Sequence, residues 1–389
     1  MPKGKVEFNT KSSLLKDKKI TLGVTGSISA VESVKLIHEL RRHGAEVFPV
    51  VTESAKKIIH PSSLEYASEN KVVEELTGAI EHVRLAEDSD LLLVAPATAN
   101  TISKMANGID DSPVTSVFSN ALEKIPVVVV PAMHLNMYTN PIIVKNIETL
   151  KSYGVVFLEP QMEESKAKIA DYQSIVAEVI RALHDELRER KICVIGGSSY
   201  ESIDDVRVIT NNSTGETARD IAVMAYYLGA EVKLLLGNVR VSIPPFLKFE
   251  TFTNLASLVS MVESIKKSDT VIVPAALSDF TTEKRSGKIS TDKSFSMTLK
   301  PAIKFLRLLR QRYKGKIVGF KAEYGISRRE LVSRARKRMS EYSLDMIVAN
   351  DLKDVRPGFT KVVAIKGKEE VDLEGEKIEV AKRLLELLP

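Results

Sequence analysis

The chain is poor in several things, and each shortage excludes something. Among 389 residues there is one cysteine, Cys193, and no tryptophan. A single thiol cannot close an intramolecular disulfide, and a chain of this length buries a core without one. A reduced, intracellular protein is therefore expected. Blocks of one charge sign are also missing. Lys and Arg number 56 against 51 Asp and Glu, scattered along the chain, for a net charge of +5. Nothing in that balance demands nucleic acid, and none is expected as a partner. The most basic stretch, "SRRELVSRARKRM", spaces Leu331, Val332, Ala335 and Met339 as a helix would. It reads as a solvated helix face rather than a phosphate-binding stripe. Apolar runs such as "IPVVVVPAM" are strand-length and far too short to span a bilayer. The N-terminal "MPKGKVEFNTKSSLLKDKK" lacks the apolar centre of a signal peptide. The expectation is a cytoplasmic protein without a membrane partner, suited by its mild positive charge to small acidic substrates.

What is present is an ordinary globular mixture, 44% hydrophobic and 28% charged. The length predicts two or three domains. From Ile20 onward short apolar runs alternate with longer amphipathic stretches. "ITLGV", "AEVFPVV", "DLLLVAP", "IPVVVVPAM" and "VVFLEP" read as strands, and "VESVKLIHELRRHG" as a helix. Continuous β-branched runs separated by helices indicate a mainly parallel sheet covered on both faces. A second series begins at "KICVIGG" and continues through "AEVKLLLG", "DTVIVPAALSDF", "KIVGFKAE" and "LDMIVANDL". Between the two, "DYQSIVAEVIRALHDELRER" predicts one long helix bridging the domains. The fold class is thus α/β, two doubly wound Rossmann-like domains joined near residue 185.

Ligands of such folds bind where the strands end and the loops begin. "GVTGSIS" brings Gly26, Ser27 and Ile28 between a strand and a helix, where small residues let backbone N–H groups approach a phosphate. The full G-x-G-x-x-G pattern is absent, and a tight turn without a ligand explains the stretch equally well. Thr52 follows the next strand. Ala97 and Thr98 in "APATAN", with Ser112 and Thr115 further on, form a wall of small residues and hydroxyls. Such a wall suits a flat ring and a phosphate; close helix–strand packing is the plainer alternative. His82 precedes "DLLLVAP", and His134, Asn136 and Met137 follow "IPVVVVPAM". Histidine exchanges protons near neutral pH, so two such groups over one surface would make a site.

Taken together, "GVTGSIS", "EHVRLAEDSDLLLVAPATAN", "MANGIDDSPVTS" and "PAMHLNMY" resemble the FMN-dependent cysteine decarboxylase family. "GGSSYESIDDVRVITNNSTGETA", "PAALSDF", "KIVGFKAE" and "LDMIVANDL" are similar to phosphopantothenoylcysteine synthetase. The order of the halves matches the bifunctional coenzyme A biosynthesis proteins of bacteria and archaea, from about Lys19 to Pro389. The resemblance implies a flavodoxin-like FMN domain over residues 1–184, followed by a ligase domain over 185–389. The second half would join 4′-phosphopantothenate to L-cysteine, with a nucleoside triphosphate activating the carboxylate. CTP, through an acyl-cytidylate, is what the resemblance implies, and the residues themselves leave ATP open. Mg²⁺ would neutralise triphosphate charge. The first half would decarboxylate the product to 4′-phosphopantetheine, using FMN so that the charge left by departing CO₂ spreads onto sulfur.

Residue by residue, the resemblance makes His82 the active-site histidine. Gly26, Ser27, Ile28, Thr52, Ala97, Thr98, Ser112 and Thr115 become the flavin wall. His134 stands where the family carries the Asn that binds the substrate carboxylate, with Asn136 and Met137 beside the substrate. The lid segment, "EPQMEESKAKIAD", lacks the Cys of bacterial members, and Lys168 or Lys166 is expected to act there instead. In the second half Asn211 would hold the acyl-nucleotide, and Arg207 would lie near the substrate. Ala275 and Ala276 would make a close-approach loop. Asp279 would hold the metal–triphosphate, Phe320 would pack near the base, and Lys288 would contact nucleotide and intermediate. Turn chemistry explains Asn211 and Asp279 as well. The family implies trimeric flavin domains and dimeric ligase domains, a homo-oligomer as large as a dodecamer. A regulatory subunit without catalysis is the first competing reading, but its acidic tail is missing. A nicotinamide-dependent oxidoreductase is the second; the absent glycine fingerprint and Tyr-x-x-x-Lys pair speak against it.

Overall fold

The computed structural model describes residues 10–163, 166–292 and 294–389, the side chains of 161–168 excepted. The chain divides into two compact units, one ending at His184 and the other beginning at Asp185.

The first unit runs β1 (Lys19–Val24), α1 (Ser33–Arg42), β2 (Glu46–Val51), α2 (Glu53–Lys56), α3 (Pro61–Ser68), α4 (Glu81–Asp88) and β3 (Leu91–Ala97). It continues through α5 (Ala99–Ala106), α6 (Pro113–Ala121), β4 (Val127–Pro131), β5 (Met133–His134), α7 (Leu135–Tyr138), α8 (Pro141–Ser152) and β6 (Val156–Phe157). The short strands β7 (Gln161–Glu163) and β8 (Lys166–Lys168) and the helix α9 (Tyr172–Leu183) complete it. Five strands form one sheet in the order β2-β1-β3-β4-β6, and every neighbouring pair is parallel. The apolar runs explain it: every residue of β3 and of β4 is buried, as a strand covered on both faces requires. Sequential strands switch from one side of β1 to the other, which opens a crevice between the C-terminal ends of β1 and β3. Beside β4, backbone pairing of β5, β8 and β7 makes a small antiparallel sheet.

The long bridging helix expected from the sequence is shorter. Asp171 caps α9 by accepting from Ser174 N at 2.9 Å. The apolar stripe Ile175, Val176, Val179 and Ile180 then holds the helix in the core. Beyond Leu183 only Leu187 continues the stripe, so there is no second turn of apolar face to bury. His184 turns extended, and its ring Nε2 meets Leu14 O at 3.0 Å.

The second unit contains β9 (Lys191–Gly196), β10 (Tyr200–Ser202), β11 (Val208–Thr210), α10 (Glu216–Tyr227), β12 (Glu231–Leu236) and β13 (Phe249–Thr251). Then come α11 (Leu255–Ser260), α12 (Val262–Ile265), β14 (Thr270–Val273), β15 (Phe280–Thr281), β16 (Lys300–Pro301), α13 (Phe305–Arg312) and β17 (Lys316–Glu323). It ends with α14 (Arg328–Glu341), β18 (Met346–Asp351), β19 (Phe359–Lys366), β20 (Glu369–Glu376) and α15 (Lys377–Glu386). The main sheet has the order β13-β12-β9-β14-β17-β18-β19-β20. Its first six strands are parallel, and β19 and β20 add an antiparallel hairpin. The switch in strand order falls between β9 and β14. Cys193 lies in the centre of β9, and burial pushes its thiol up to about 12, so it is chemically quiet. The basic stretch is α14, with Leu331, Val332 and Ala335 turned inward.

Candidate functional site

In the first unit the loops after β1, β2 and β3 are tied together at the switch point. Thr25 is fully buried; its hydroxyl donates to Pro96 O at 2.8 Å and accepts from Thr98 N at 3.0 Å. Thr52 N donates to Val24 O at 3.1 Å. Gly26 is required by close approach, because a Cβ there would lie 2.4 Å from Ser54 Oγ. Ile28 projects from the same loop, 76% exposed. The hydroxyls singled out from the sequence serve the helices first. Ser27, Thr52 and Thr98 each accept a backbone N–H at the start of a helical turn. Ser112 and Thr115 cap α6 reciprocally, at 3.3 and 3.1 Å. The first turn of α6 rests on β1, since a Cβ on Gly23 would meet Val114 at 2.9 Å. Gly26, Ser27, Thr52 and Thr98 thereby stand together at the C-terminal ends of β1, β2 and β3, with Ala97 closing β3 and Ser112 and Thr115 at the start of α6.

His82 stands in the first turn of α4, which packs on α6. Its ring Nδ1 is buried and has no hydrogen-bond partner among the described residues. A buried polar atom left unpaired costs on the order of 1–3 kcal/mol, so this one calls for a partner that the described residues do not supply. The residue two places earlier, Ile80, holds φ 51°, an uncommon conformation for a β-branched side chain. Thr77 N donates to Glu81 at 2.9 Å and fastens the same turn. That pairing, with the Thr77 hydroxyl first among its causes, holds the Glu81 carboxyl below its usual range. His134, by contrast, is exposed on β5, opposite Lys166 in the backbone ladder. Asn136 and Met137 follow it on α7, also exposed. Lys168 is placed in β8 by its backbone, and its side chain lies outside the described residues, as does that of Lys166.

The second unit has a cleft of about 870 Å³. Asn211, Ala275, Ala276, Asp279 and Phe320 line it together. Asn211 bridges its walls: Nδ2 donates to Ala276 O and Leu277 O, each at 3.1 Å. Asp279 forms an ion pair with Lys304. Behind this wall, at the switch point, Ser199 Oγ accepts from Ser278 N at 2.8 Å, a link the sequence reading missed although it had marked the loop. The glycine pair after β9 permits close packing. A Cβ on Gly196 would lie 2.1 Å from Ala218 Cβ, and Gly197 has φ 75°.

Arg207 and Lys288 are not in the wall of the cleft. Arg207 is committed elsewhere: Nη1 donates to Asp204 at 2.9 Å and to Ile289 O at 3.1 Å. Asp204 is buried, and burial by itself would raise its carboxyl. Donation from Ile289 N, Val206 N and Arg207 N, with the Arg207 charge, outweighs that and holds it down to about 2. Gly287 N donates to Asp205 at 2.7 Å. Arg207 thus acts as a clasp between the turn after β10 and the loop that carries Lys288, which is itself exposed.

Among the described residues no three His, Cys, Asp or Glu side chains gather as a metal site. A Mg²⁺ ion would fit only as one already held by phosphates, with Asp279 as a single carboxylate partner. A flavin fits the first crevice better: the orphaned His82 nitrogen, the glycine approach at Gly26 and the sheet order all suit it. No described helix is long and apolar enough to cross a membrane.

These features define a two-domain α/β protein with a ligand crevice at the strand-order switch of each sheet. Residues 8–184 match the Flavoprotein family model, and 187–388 match that of the DNA/pantothenate metabolism flavoprotein C-terminal domain. A Thermococcus kodakarensis protein, coenzyme A biosynthesis bifunctional protein CoaBC, is 46% identical over 93% of this chain and 92% of its own length. The protein of the same name from Methanocaldococcus jannaschii is 39% identical over 97% and 94%. A solved structure of the FMN-dependent cysteine decarboxylase SpaF covers 43% of this chain and 98% of its own, at 30% identity and a TM-score of 0.40. The chain belongs to the family of bifunctional coenzyme A biosynthesis proteins.

Proposed function

We propose that the chain performs two successive steps of coenzyme A biosynthesis. Residues 185–389 ligate 4′-phosphopantothenate to L-cysteine at the expense of a nucleoside triphosphate, and residues 1–184 decarboxylate the product to 4′-phosphopantetheine with FMN. The observation that carries this is the match of both halves, in one order, to a relative 46% identical over more than nine tenths of each chain.

In the ligase unit the roles follow the cleft. Asn211, braced against Ala276 O and Leu277 O, presents its remaining amide oxygen to the activated acyl group. Ala275 and Ala276 admit the substrate backbone closely, and Phe320 offers an apolar face to the base. Asp279 shares its charge between Lys304 and the Mg²⁺ that arrives with the triphosphate. CTP is the proposed nucleotide. Lys288 acts from its clasped loop, and Arg207 positions that loop through Asp204 and Ile289.

In the flavin unit a bound FMN supplies the electron sink that lets a cysteine carboxylate leave. The chain's own part is to hold and steer. Gly26 leaves room for close approach, and the hydroxyls of Ser27, Thr52 and Thr98 stand around the crevice for the flavin phosphate and ring, with Ile28, Ala97, Ser112 and Thr115 alongside. His82 holds the proton needed beside the substrate. His134, with Asn136 and Met137, receives the substrate carboxylate in the exposed segment after β4. Lys168 or Lys166, whose side chains lie outside the described residues, takes the role of the lid residue toward the substrate phosphate or supplies the proton. The FMN wall and the His134 segment are completed by neighbouring subunits in a homo-oligomer.

The test is His82→Gln. Ligase turnover and flavin retention should be unchanged, and decarboxylation should fall about 10²- to 10⁴-fold, leaving phosphopantothenoylcysteine to accumulate. Undiminished decarboxylation removes His82 from the mechanism.

A further inference from the structure

The inference that follows rests on the ligase reading of the second unit and adds one residue to it. Five cationic side chains line the cleft. Three are neutralised in place: Lys304 by Asp279, Lys321 by Glu323 at 2.9 Å, and Lys377 by Glu216. Such pairs present little net field to an incoming anion. A fourth, Arg338, lies over the Tyr342 ring at 5.0 Å. The fifth, Arg356, has no hydrogen bond, ion pair or ring contact for its guanidinium among the described residues.

The turn that carries Arg356 is held in place. Arg356 N donates to Phe359 O and Phe359 N to Arg356 O, both at 3.1 Å. Pro357 fixes its own φ, and Gly358 sits at φ 73°, where a side chain would be strained. Gly358 N donates to Glu216 at 3.3 Å. Glu216 is in turn gripped by Lys377, which is 8% exposed. The turn is therefore fastened to the first turn of α10, and its one uncommitted cation faces the cleft.

We infer that Arg356 binds a phosphoryl group of the nucleoside triphosphate. A guanidinium offers a planar fork of donors that matches a pair of phosphate oxygens. A triphosphate keeps negative charge that a single Mg²⁺ does not cancel, and the paired lysines do not offset it. Phosphopantothenate carries the same chemistry in its own phosphate, so the test must separate the two.

Full-length Arg356→Ala and Arg356→Lys are compared with the unsubstituted chain. The measurements are the dissociation constants of Mg–CTP and Mg–ATP, the KM values for phosphopantothenate and cysteine, and decarboxylation of supplied phosphopantothenoylcysteine. Arg356→Ala should weaken nucleotide binding ~10- to 100-fold, by a factor that shrinks as salt is raised. Arg356→Lys should recover part of the loss. The phosphopantothenate KM and decarboxylation should not move, the former reporting an intact ligase unit and the latter an intact flavin unit. Unchanged nucleotide binding, or a rise confined to the phosphopantothenate KM, overturns the assignment. Absence of pyrophosphate release from the unsubstituted chain is a separate result, which overturns the ligase reading itself.

Discussion

Gly196 offers the sharpest structural perturbation of the ligase unit. It ends β9 at the switch point, and a Cβ built there lies 2.1 Å from Ala218 Cβ on α10. Ordinary contact begins at 3.4 Å, so Gly196→Ala must push the first turn of α10 away by about 1.3 Å. Overpacking of this kind costs about 1–3 kcal/mol of stability. The functional loss should be larger in proportion, because α10 begins at Glu216, in the wall of the cleft. A misplacement of about 1 Å lowers turnover ~10²-fold. The same polypeptide reports both activities. Pyrophosphate release should therefore fall about a hundredfold while decarboxylation of supplied phosphopantothenoylcysteine stays constant. The double variant Gly196→Ala with Ala218→Gly removes the colliding atom and leaves Leu236 Cδ2, at 3.3 Å, as the nearest side-chain contact. It should regain most ligase turnover, at about 1 kcal/mol for a glycine within a helix. A folded Gly196→Ala protein that ligates at the original rate, or a double variant no better than the single, refutes the close-approach argument.

Two pH-dependent predictions accompany it. His43 is buried, and burial, opposed by Glu39 and reinforced by Lys11, lowers its pKa from 6.5 to about 4. The unfolded chain then binds the extra proton first, so stability is complete above about pH 6.5 and is lost as the pH falls towards 4. The loss amounts to ~3 kcal/mol, and denaturant midpoints of His43→Gln should show a flatter profile across that window; an equally steep one contradicts the assignment. Asp204 has its carboxyl lowered from 3.8 to about 2. Its contribution is present above about pH 4 and disappears as the pH falls through 2. In Asp204→Asn the acid-unfolding curve should lose slope in that range and ligase turnover should fall as the Lys288 loop is released. Identical acid profiles for the two proteins would count against the clasp.

Much of the fold was legible because it rests on runs that have one reading. "DLLLVAP" and "KICVIGG" are too apolar and too short for anything but doubly covered strands, and both lie in the interior of their sheets, beside the switch in strand order. The end of α9 was not legible, since "HDELRER" has ordinary helix formers and only the lost apolar stripe and the Leu14 contact stop it. The β19–β20 hairpin was overlooked despite its signal, the turn at Gly367 (φ 58°) between the apolar run of β19 and the alternating run of β20. The small sheets β10–β11 and β15–β16 carry little local preference; tertiary bonds such as Thr210 Oγ1 to Ser199 O at 2.9 Å define them. At the sites, residue type pointed to chemistry but not to commitment. Nothing in "DDVR" announces that Arg207 is spent on Asp204, and nothing near His82 announces that its Nδ1 finds no partner among the described residues. Arg356 escaped notice because one arginine in a turn is unremarkable until its neighbours are seen to be paired.

The central claim is that one polypeptide forms the amide and then removes its carboxyl group. The direct measurement is mass analysis of the purified chain, with FMN and Mg²⁺ supplied, incubated with 4′-phosphopantothenate, L-cysteine and CTP. The account predicts 4′-phosphopantetheine with one pyrophosphate and one CO₂ for each molecule formed, and no product when cysteine or the nucleotide is withheld. Phosphopantothenoylcysteine as the final product, or no amide with any nucleoside triphosphate, would contradict it.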